Sequence, residues 1–182
     1  QFDAFRQELM QTGKVAAVAK SDNPIVSTFI TNSGFDWEGK PADFQDEFVT
    51  VRVDHEFGET IGWEMKDGRD FSRERPSDTL AFVINEAAAS YFGFENPVGQ
   101  RIEWNEGEYY TIIGVVKDLI TQSPYSPTKQ TMFFIDEDRS NYANIRIDPQ
   151  VSTSEALAAI EGVFNKYDPV NNFEYTLLDE AH

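Results

Sequence analysis

The sequence predicts an α+β fold in which the two ends of the chain build one lobe and a β-rich insert lies between them. Three observations predict it. A helix-then-strand pattern opens the chain, a strand–strand–helix–strand pattern closes it, and the stretch between reads mostly as short strands. The 182 residues suffice to bury a core. Fifteen phenylalanines supply large side chains with which to fill it.

Phe2, Phe5 and Leu9 recur at spacings of three and four, which predicts an amphipathic helix over residues 2–11 that stops at Gly13. Residues 14–20 read as a buried strand bounded by lysines, and residues 21–24 as a turn. Residues 25–36 read as strand, turn and strand, reversing at Asn32-Ser33-Gly34. Residues 40–46 are polar loop. In residues 47–54, Phe48, Thr50 and Arg52 alternate with Val49, Val51 and Val53, and the valines are expected to face the core. Phe57, Ile61 and Trp63 mark a short helix over residues 56–63. Asp67-Gly68 is a turn, followed by a polar loop over 69–77 that ends at Pro76.

Residues 80–84 form a buried strand. Asn85 caps a helix over 86–92, which Gly93 closes. Asn105-Glu106-Gly107 joins strands at 101–104 and 109–116 into a hairpin. Residues 121–129 hold two prolines and read as loop. Strands at 131–135 and 143–147 flank an acidic loop. The clearest helix spans 152–167, capped by Ser152 or Thr153, with Leu157, Ile160, Val163 and Phe164 as its apolar stripe. Residues 173–178 read as the last strand.

Thirty-two acidic residues against 15 basic ones give a net charge of −17. Phosphate binding needs a basic stripe, so nucleic acid is excluded as a partner, and an anionic lipid surface repels this body. The absence of cysteine excludes disulfides, thiolate metal sites and cysteine nucleophiles. No apolar run reaches the roughly 20 residues of a membrane helix. The chain opens on Gln1-Phe2-Asp3 and reads as a piece of a longer protein whose membrane segments lie elsewhere.

Reactive motifs are missing. There is no phosphate-cradling Gly-x-x-x-x-Gly-Lys loop and no Gly-x-Ser-x-Gly elbow. His55, between Asp54 and Glu56, is weighed as a metal ligand or general base and read as a solvated loop histidine. Asp136-Glu137-Asp138 with Asn141 offers the oxygens calcium takes, but not the twelve-residue loop with its terminal Glu, and is read as a solvated hairpin loop. Trp37, Trp63 and Trp104 could line a ligand surface but are read as core. No catalytic, cofactor-binding or metal-binding residue is assigned, no cofactor is expected, and the chain is not expected to be an enzyme.

A set of short motifs in residues 49–118 carries a resemblance. They run in order: Val51-Arg52-Val53-Asp54 with Phe57, Trp63-Glu64-Met65, and Asp67-Gly68-Arg69-Asp70-Phe71-Ser72. Next come residues 78–85 with Glu86-Ala87-Ala88, then Phe92-Gly93 and Asn96-Pro97-Val98-Gly99-Gln100, and finally residues 110–118, Tyr-Thr-Ile-Ile-Gly-Val-Val-Lys-Asp. Each is weak alone. Together they resemble the periplasmic core domain of MacB-like and FtsX-like ABC-transporter permeases. Residues 21–45 fit least. Gly68, Pro97, Gly99 and Gly114 in these motifs specify backbone shape, with Gly114 marking a bulge or close approach inside a strand.

The resemblance implies a porter-like α/β lobe from residues 1–63 and 118–182, and an inserted β-rich, Sabre-like lobe from residues 64–117. It implies membrane helices flanking the domain and a location on the periplasmic face of the bacterial inner membrane. The implied partners are a cytoplasmic ABC ATPase, a second permease copy and a periplasmic membrane-fusion protein, with no nucleic acid among them. The implied role is to couple ATP-driven motion to export or extraction of a substrate. The FtsX-like alternative is a signalling module that regulates a cell-wall hydrolase. Because no phosphate loop is present, the 182-residue chain should neither bind nor hydrolyse ATP. Calorimetric titration should give no saturable heat, and micromolar binding would overturn the assignment.

Overall fold

In the computed structural model, residues 1–23, 30–118 and 128–177 are described. Among the described residues, four helices and nine strands follow one another as α1 (Phe2–Gln11), β1 (Val15–Ser21), β2 (Thr31–Asn32), β3 (Phe48–Val53), α2 (Phe57–Ile61), β4 (Met65–Gly68), β5 (Ala81–Asn85), α3 (Glu86–Phe92), β6 (Arg101–Glu103), β7 (Tyr109–Val116), β8 (Thr131–Ile135), β9 (Tyr142–Ile147) and α4 (Thr153–Tyr167). Two 3-10 turns, Pro76–Leu80 and Glu137–Arg139, complete the set. The mixed α and β content agrees with the class expected.

All nine strands join one sheet. Its order is β4-β7-β5-β8-β3-β1-β9, with β2 added to β3 and β6 to β7. β3 with β8 and β5 with β7 are parallel, and the other pairs are antiparallel. Residues 64–117 contribute β4, β5, β6 and β7, which form one end of the sheet.

The sheet's middle is buried on both faces, which accounts for the run of apolar residues in β5. Phe82 and Ile84 enter one cluster with Phe35, Phe48, Ile112, Met132 and Phe134. Ala81 and Val83 enter another on the opposite face with Val53, Phe57, Trp63 and Phe133. Alternation along a strand sends successive side chains to opposite faces, so a strand covered twice must be apolar throughout. The same fact corrects the expectation for residues 47–54. Phe48 and Thr50 are as buried as Val49, because β3 is an interior strand and not the half-exposed one that alternation suggested.

Aromatic edge contacts organise the first cluster. Phe35 meets Phe48 edge-on with centroids 5.4 Å apart, and Phe82 stacks on Tyr110 at 4.5 Å. All three tryptophans pack into the clusters. A third cluster lies under α1 and α4, where Leu9, Val15, Val18 and Ile160 are buried. In α4 the buried face is Ala156 and Ile160, with Leu157, Val163 and Phe164 half-buried, so the stripe is rotated from the expected one.

Local signals explain the element ends. The Asn85 side chain accepts from Ala88 N, and Gly93 closes α3 at φ 77°. Ser152, not Thr153, caps α4. Gly68 stands at φ 69°, and a Cβ there or at Gly114 would strike the backbone between β7 and residue 69. The β5–β7 register shifts beside Gly114, as a bulge requires. Two expectations differ. Residues 65–68 pair with β7 as an edge strand before the turn at Gly68. Residues 173–177 form no strand: Phe173 packs on Phe164 with centroids 5.4 Å apart, so its apolar side chain serves helix packing. Much of the expected strand–turn–strand at 25–36 and most of the loop at 121–129 lie outside the described residues.

Phe82 has no exposed surface, and truncation would leave a cavity on the more aromatic face. Phe82→Ala should cost about 3–5 kcal/mol in urea unfolding. Val170→Ala, at a position 88% exposed, should change stability by less than about 0.5 kcal/mol.

Candidate functional site

Neighbouring charged side chains converge where β3 ends. Asp54 follows β3 directly and has no exposed surface. Its Oδ2 accepts from Arg6 Nη2 at 2.6 Å and from Lys20 N at 3.0 Å, while its Oδ1 is buried without a hydrogen-bond partner. Arg6 also donates from Nε to Val18 O at 3.1 Å, so one side chain of α1 holds both β1 and Asp54. Arg73 donates to both oxygens of Glu56, at 2.5 and 2.8 Å, and to Glu137 Oε1 at 2.7 Å.

Oxygens of Asp54, Glu56 and Glu137 therefore lie within 4.8 Å of one another. Two guanidinium groups stand where a cation would, so the arrangement is an ion-pair network. Burial pushes the Asp54 carboxyl up to about 6; the Lys20 N–H opposes this, Glu56 reinforces it, Arg6 opposes it and Glu137 reinforces it. Burial also raises Glu56, but the Arg73 hydrogen bonds and the charges of Arg6 and Arg73 outweigh it and hold that carboxyl below its usual range.

Of the candidates read from the sequence, His55 and Glu137 meet here. His55 is half-buried, not solvated, with Nδ1 3.4 Å from Glu137 Oε1. The acidic run divides: Asp136 accepts from Arg52 Nε at 3.1 Å, while Glu137 faces Arg73. Missed in the sequence were Arg6 and Arg73, which lie 48 and 17 residues from their partners. No local pattern pairs residues so far apart.

The quoted motifs fall at joints of the fold. Arg69 grips Asp78 with two hydrogen bonds of 2.9 and 2.8 Å, and Ser72 N donates to Asp78 at 2.8 Å. Asp70 accepts from Trp63 Nε1 at 3.0 Å. Asn85 Oδ1 accepts from Thr131 N as well as Ala88 N, and Asn85 Nδ2 donates to Lys129 O. Asp118 accepts from Ala87 N at 3.0 Å. Gly99 N donates to Ile112 O at 2.8 Å, pinning the Asn96–Gln100 turn to β7. Each of these side chains ties one segment of the fold to another.

The profile of the MacB-like periplasmic core domain matches residues 2–163. The chain belongs to that family. It is a family of transporter-permease domains. Solved structures agree in fold. The periplasmic region of MacB from Actinobacillus actinomycetemcomitans superposes with a TM-score of 0.62 at 14% identity, over 91% of this chain and 73% of that one. The extracellular domain of the ABC-type transporter YknZ from Gram-positive bacteria gives 0.61 at 14% identity, over 93% and 84%. A permease-protein domain from Porphyromonas gingivalis gives 0.57 at 20% identity, over 88% and 68%. No curated protein sequence matches this MacB-like domain. Among the described residues no helix is long and apolar enough to cross a membrane.

The Arg69–Asp78 clamp makes the motif's role measurable. Burial raises the Asp78 carboxyl, but the Arg69 and Ser72 hydrogen bonds outweigh it and hold it below its usual range. The folded-state value is depressed, so the stabilisation is present above the ordinary aspartate range and is lost as the pH falls through it. Asp78→Ala should cost about 1.5–3 kcal/mol at pH 7. The difference from wild type in urea unfolding should shrink towards pH 3.

Proposed function

We propose that the chain is the extracytoplasmic domain of an ABC-transporter permease, and that it passes ATP-driven motion from the membrane to a substrate on the far side. The observation that carries this reading is the pairing of α1 with α4. Lys14, just after α1, meets Glu155 in the first turn of α4 at 2.9 Å. Glu8 meets Lys166 and Tyr167 in the last turn, at 2.8 and 2.7 Å, and Phe5 packs edge-on against Tyr167. The helices are therefore antiparallel, and the start of α1 lies beside the end of α4. A domain tethered by a membrane helix at each end needs its two exits on one side.

In this reading residues 64–117 form the inserted lobe and residues 1–63 with 118–182 the porter-like lobe. Two features support the division. The chain's two crossings between the segments are hydrogen-bonded to each other, Lys117 N to Glu64 O at 2.9 Å. The sheet seam between them, β5 with β8, is registered at Val83↔Phe133 and Ile84↔Met132, against five pairs between β3 and β8. The partners in this proposal are a cytoplasmic ABC ATPase, a second permease copy and a periplasmic membrane-fusion protein. Export or extraction of a substrate is the output.

The test uses the full permease in its host. Ser154, exposed at the α4 end remote from the exits, is replaced by cysteine and treated with a membrane-impermeant maleimide. Ser154→Cys should label in intact spheroplasts, above the unsubstituted chain. The permease should also carry an ABC ATPase through purification in mild detergent. Labelling only after permeabilisation would overturn the location, and loss of the ATPase under all mild conditions would overturn the transporter role.

A further inference from the structure

The sheet has a thin seam between β1 and β3. β1 and β9 share six registered pairs, and β3 and β8 share five, but β1 and β3 meet only at Ser21↔Val53. Flanking backbone bonds, Asp22 N to Arg52 O at 3.0 Å and Asp54 N to Lys20 O at 3.1 Å, extend that contact by one residue each way. Beyond them, side-chain carboxylates take over. Asp54, from the β3 side, accepts from Lys20 N, and Asp22, from the β1 side, accepts from Arg52 N at 3.0 Å. The seam divides the sheet unevenly. On one side stand β1 and β9 with α1 and α4 packed against them, and on the other stands the rest of the sheet, with α2 lying across the two: Ala19 clusters with Val53 and Phe57, and Arg146 Nε of β9 donates to Thr60 O at 2.8 Å.

We propose that this seam is a proton-linked joint, in which Asp54 takes up a proton when the α1-β1-β9-α4 unit closes on the rest of the sheet and releases it when the unit loosens. The geometry supports uptake without loss of bonding. Both hydrogen bonds to Asp54 end on Oδ2, while Oδ1 is buried and unpartnered. A proton on Oδ1 leaves the Arg6 and Lys20 contacts intact and removes a charge from a site with no exposed surface. Arg6 is not left alone, since Glu56 lies 3.6 Å and Asp3 3.7 Å from its guanidinium.

The charges facing Asp54 favour neutrality. Arg6 comes from α1, and Lys20 of β1 offers its backbone N–H while its Nζ sits over Phe2. Glu56 and His55 precede α2, Glu137 comes from a 3-10 turn, and Arg73 comes from the loop after β4. With Asp3 at the Arg6 guanidinium, four carboxylates meet two guanidiniums, so the group carries excess negative charge that a proton on Asp54 reduces. Burial holds the Asp54 carboxyl at about 6 in the closed seam, whereas an open, solvated aspartate titrates near its ordinary 3.8. The closed state therefore binds the proton more tightly, and closure is favoured as the pH falls through 6. The joint is a property of this chain alone. Its consequence, that protons tighten the contact between the membrane-side helices and the rest of the domain, rests on the permease reading.

The test is hydrogen–deuterium exchange on the 182-residue chain at pH 5 and pH 7, corrected for intrinsic rates. The Lys20, Asp22 and Asp54 amides should be about tenfold less protected at pH 7, the ratio that the two titration values imply. Amides of β5 and β7 should show no such loss. Asp54→Asn, with its amide oxygen in the place of Oδ2, should keep the seam protected at both pH values. A carbon-13 titration of the wild-type Asp54 carboxyl should turn near 6. A midpoint near 4, seam protection independent of pH in the wild type, or an undiminished pH dependence in Asp54→Asn would each overturn the proposal.

Discussion

Burial of one sheet on both of its faces is the constraint from which most of this structure follows. A strand covered twice has no side on which to keep polar residues. β5 and β8 accordingly run almost wholly apolar, and the neighbouring β3 places Phe48 on one face and Val53 on the other. Filling both layers takes volume, and phenylalanine supplies it at small cost in side-chain entropy. The Phe35, Phe82 and Phe134 rings interlock edge-on above β5 and β8, while Phe57, Trp63 and Phe133 do the same below. The acidic surface is the complement of this arrangement. With so much apolar bulk inside, solubility falls to the outer shell, and the net charge of −17 keeps that shell hydrated.

A sheet of this kind needs its loops anchored, and the family motifs supply the anchors. Gly68 turns the chain where a side chain would strike Ile113 O. The next two residues then reach in opposite directions, Arg69 to Asp78 and Asp70 to Trp63. Asn85 serves three backbone groups at once, so the start of α3, the end of β5 and the start of β8 are fixed by one amide. This is the physical sense in which a MacB-like domain can carry a sequence signature whose residues specify backbone shape.

The legible parts of the fold were those written locally. The span of α1, the Asn85 and Ser152 caps, the Asn105–Gly107 hairpin and the buried β5 each follow from residues within one or two turns of each other. What was not legible depends on distant neighbours. Alternation in residues 47–54 suggested one exposed face, but the cover over Phe48 comes from Phe35, Trp37 and Tyr91, which no local window contains. Phe173 and Tyr175 alternate like a strand, yet no sheet edge receives them, and their rings stack beside Phe164. The ion-pair network was half visible. Asp54, His55 and Glu56 stood out together, as did the acidic run at 136–138, but their cations arrive from α1, from β3 and from the loop at 69–75.

The carboxylates of this domain respond to acid in two opposed ways, and the division follows their partners. Asp78 and Glu56 are held ionised by arginine, so protonation weakens the clamps they make. Asp54, Asp22 and Asp70 are raised chiefly by burial, so protonation relieves a cost that the folded state bears at neutral pH. Of the first kind, Asp78 is held by Arg69 and Glu56 by Arg73; of the second, Asp54 and Asp22 sit on the β1–β3 seam and Asp70 beside Trp63. Acid therefore does not act on the domain uniformly. It loosens the clamp behind β5 while removing charge from the seam beside α1, and it lowers the self-repulsion of a surface with twice as many acids as bases. Near neutrality the balance is reversed: the clamps are full, and the seam holds buried carboxylate charge against Arg6 and Arg52. The two kinds of carboxylate thus give acid opposite effects at Asp78 and at Asp54 within one sheet.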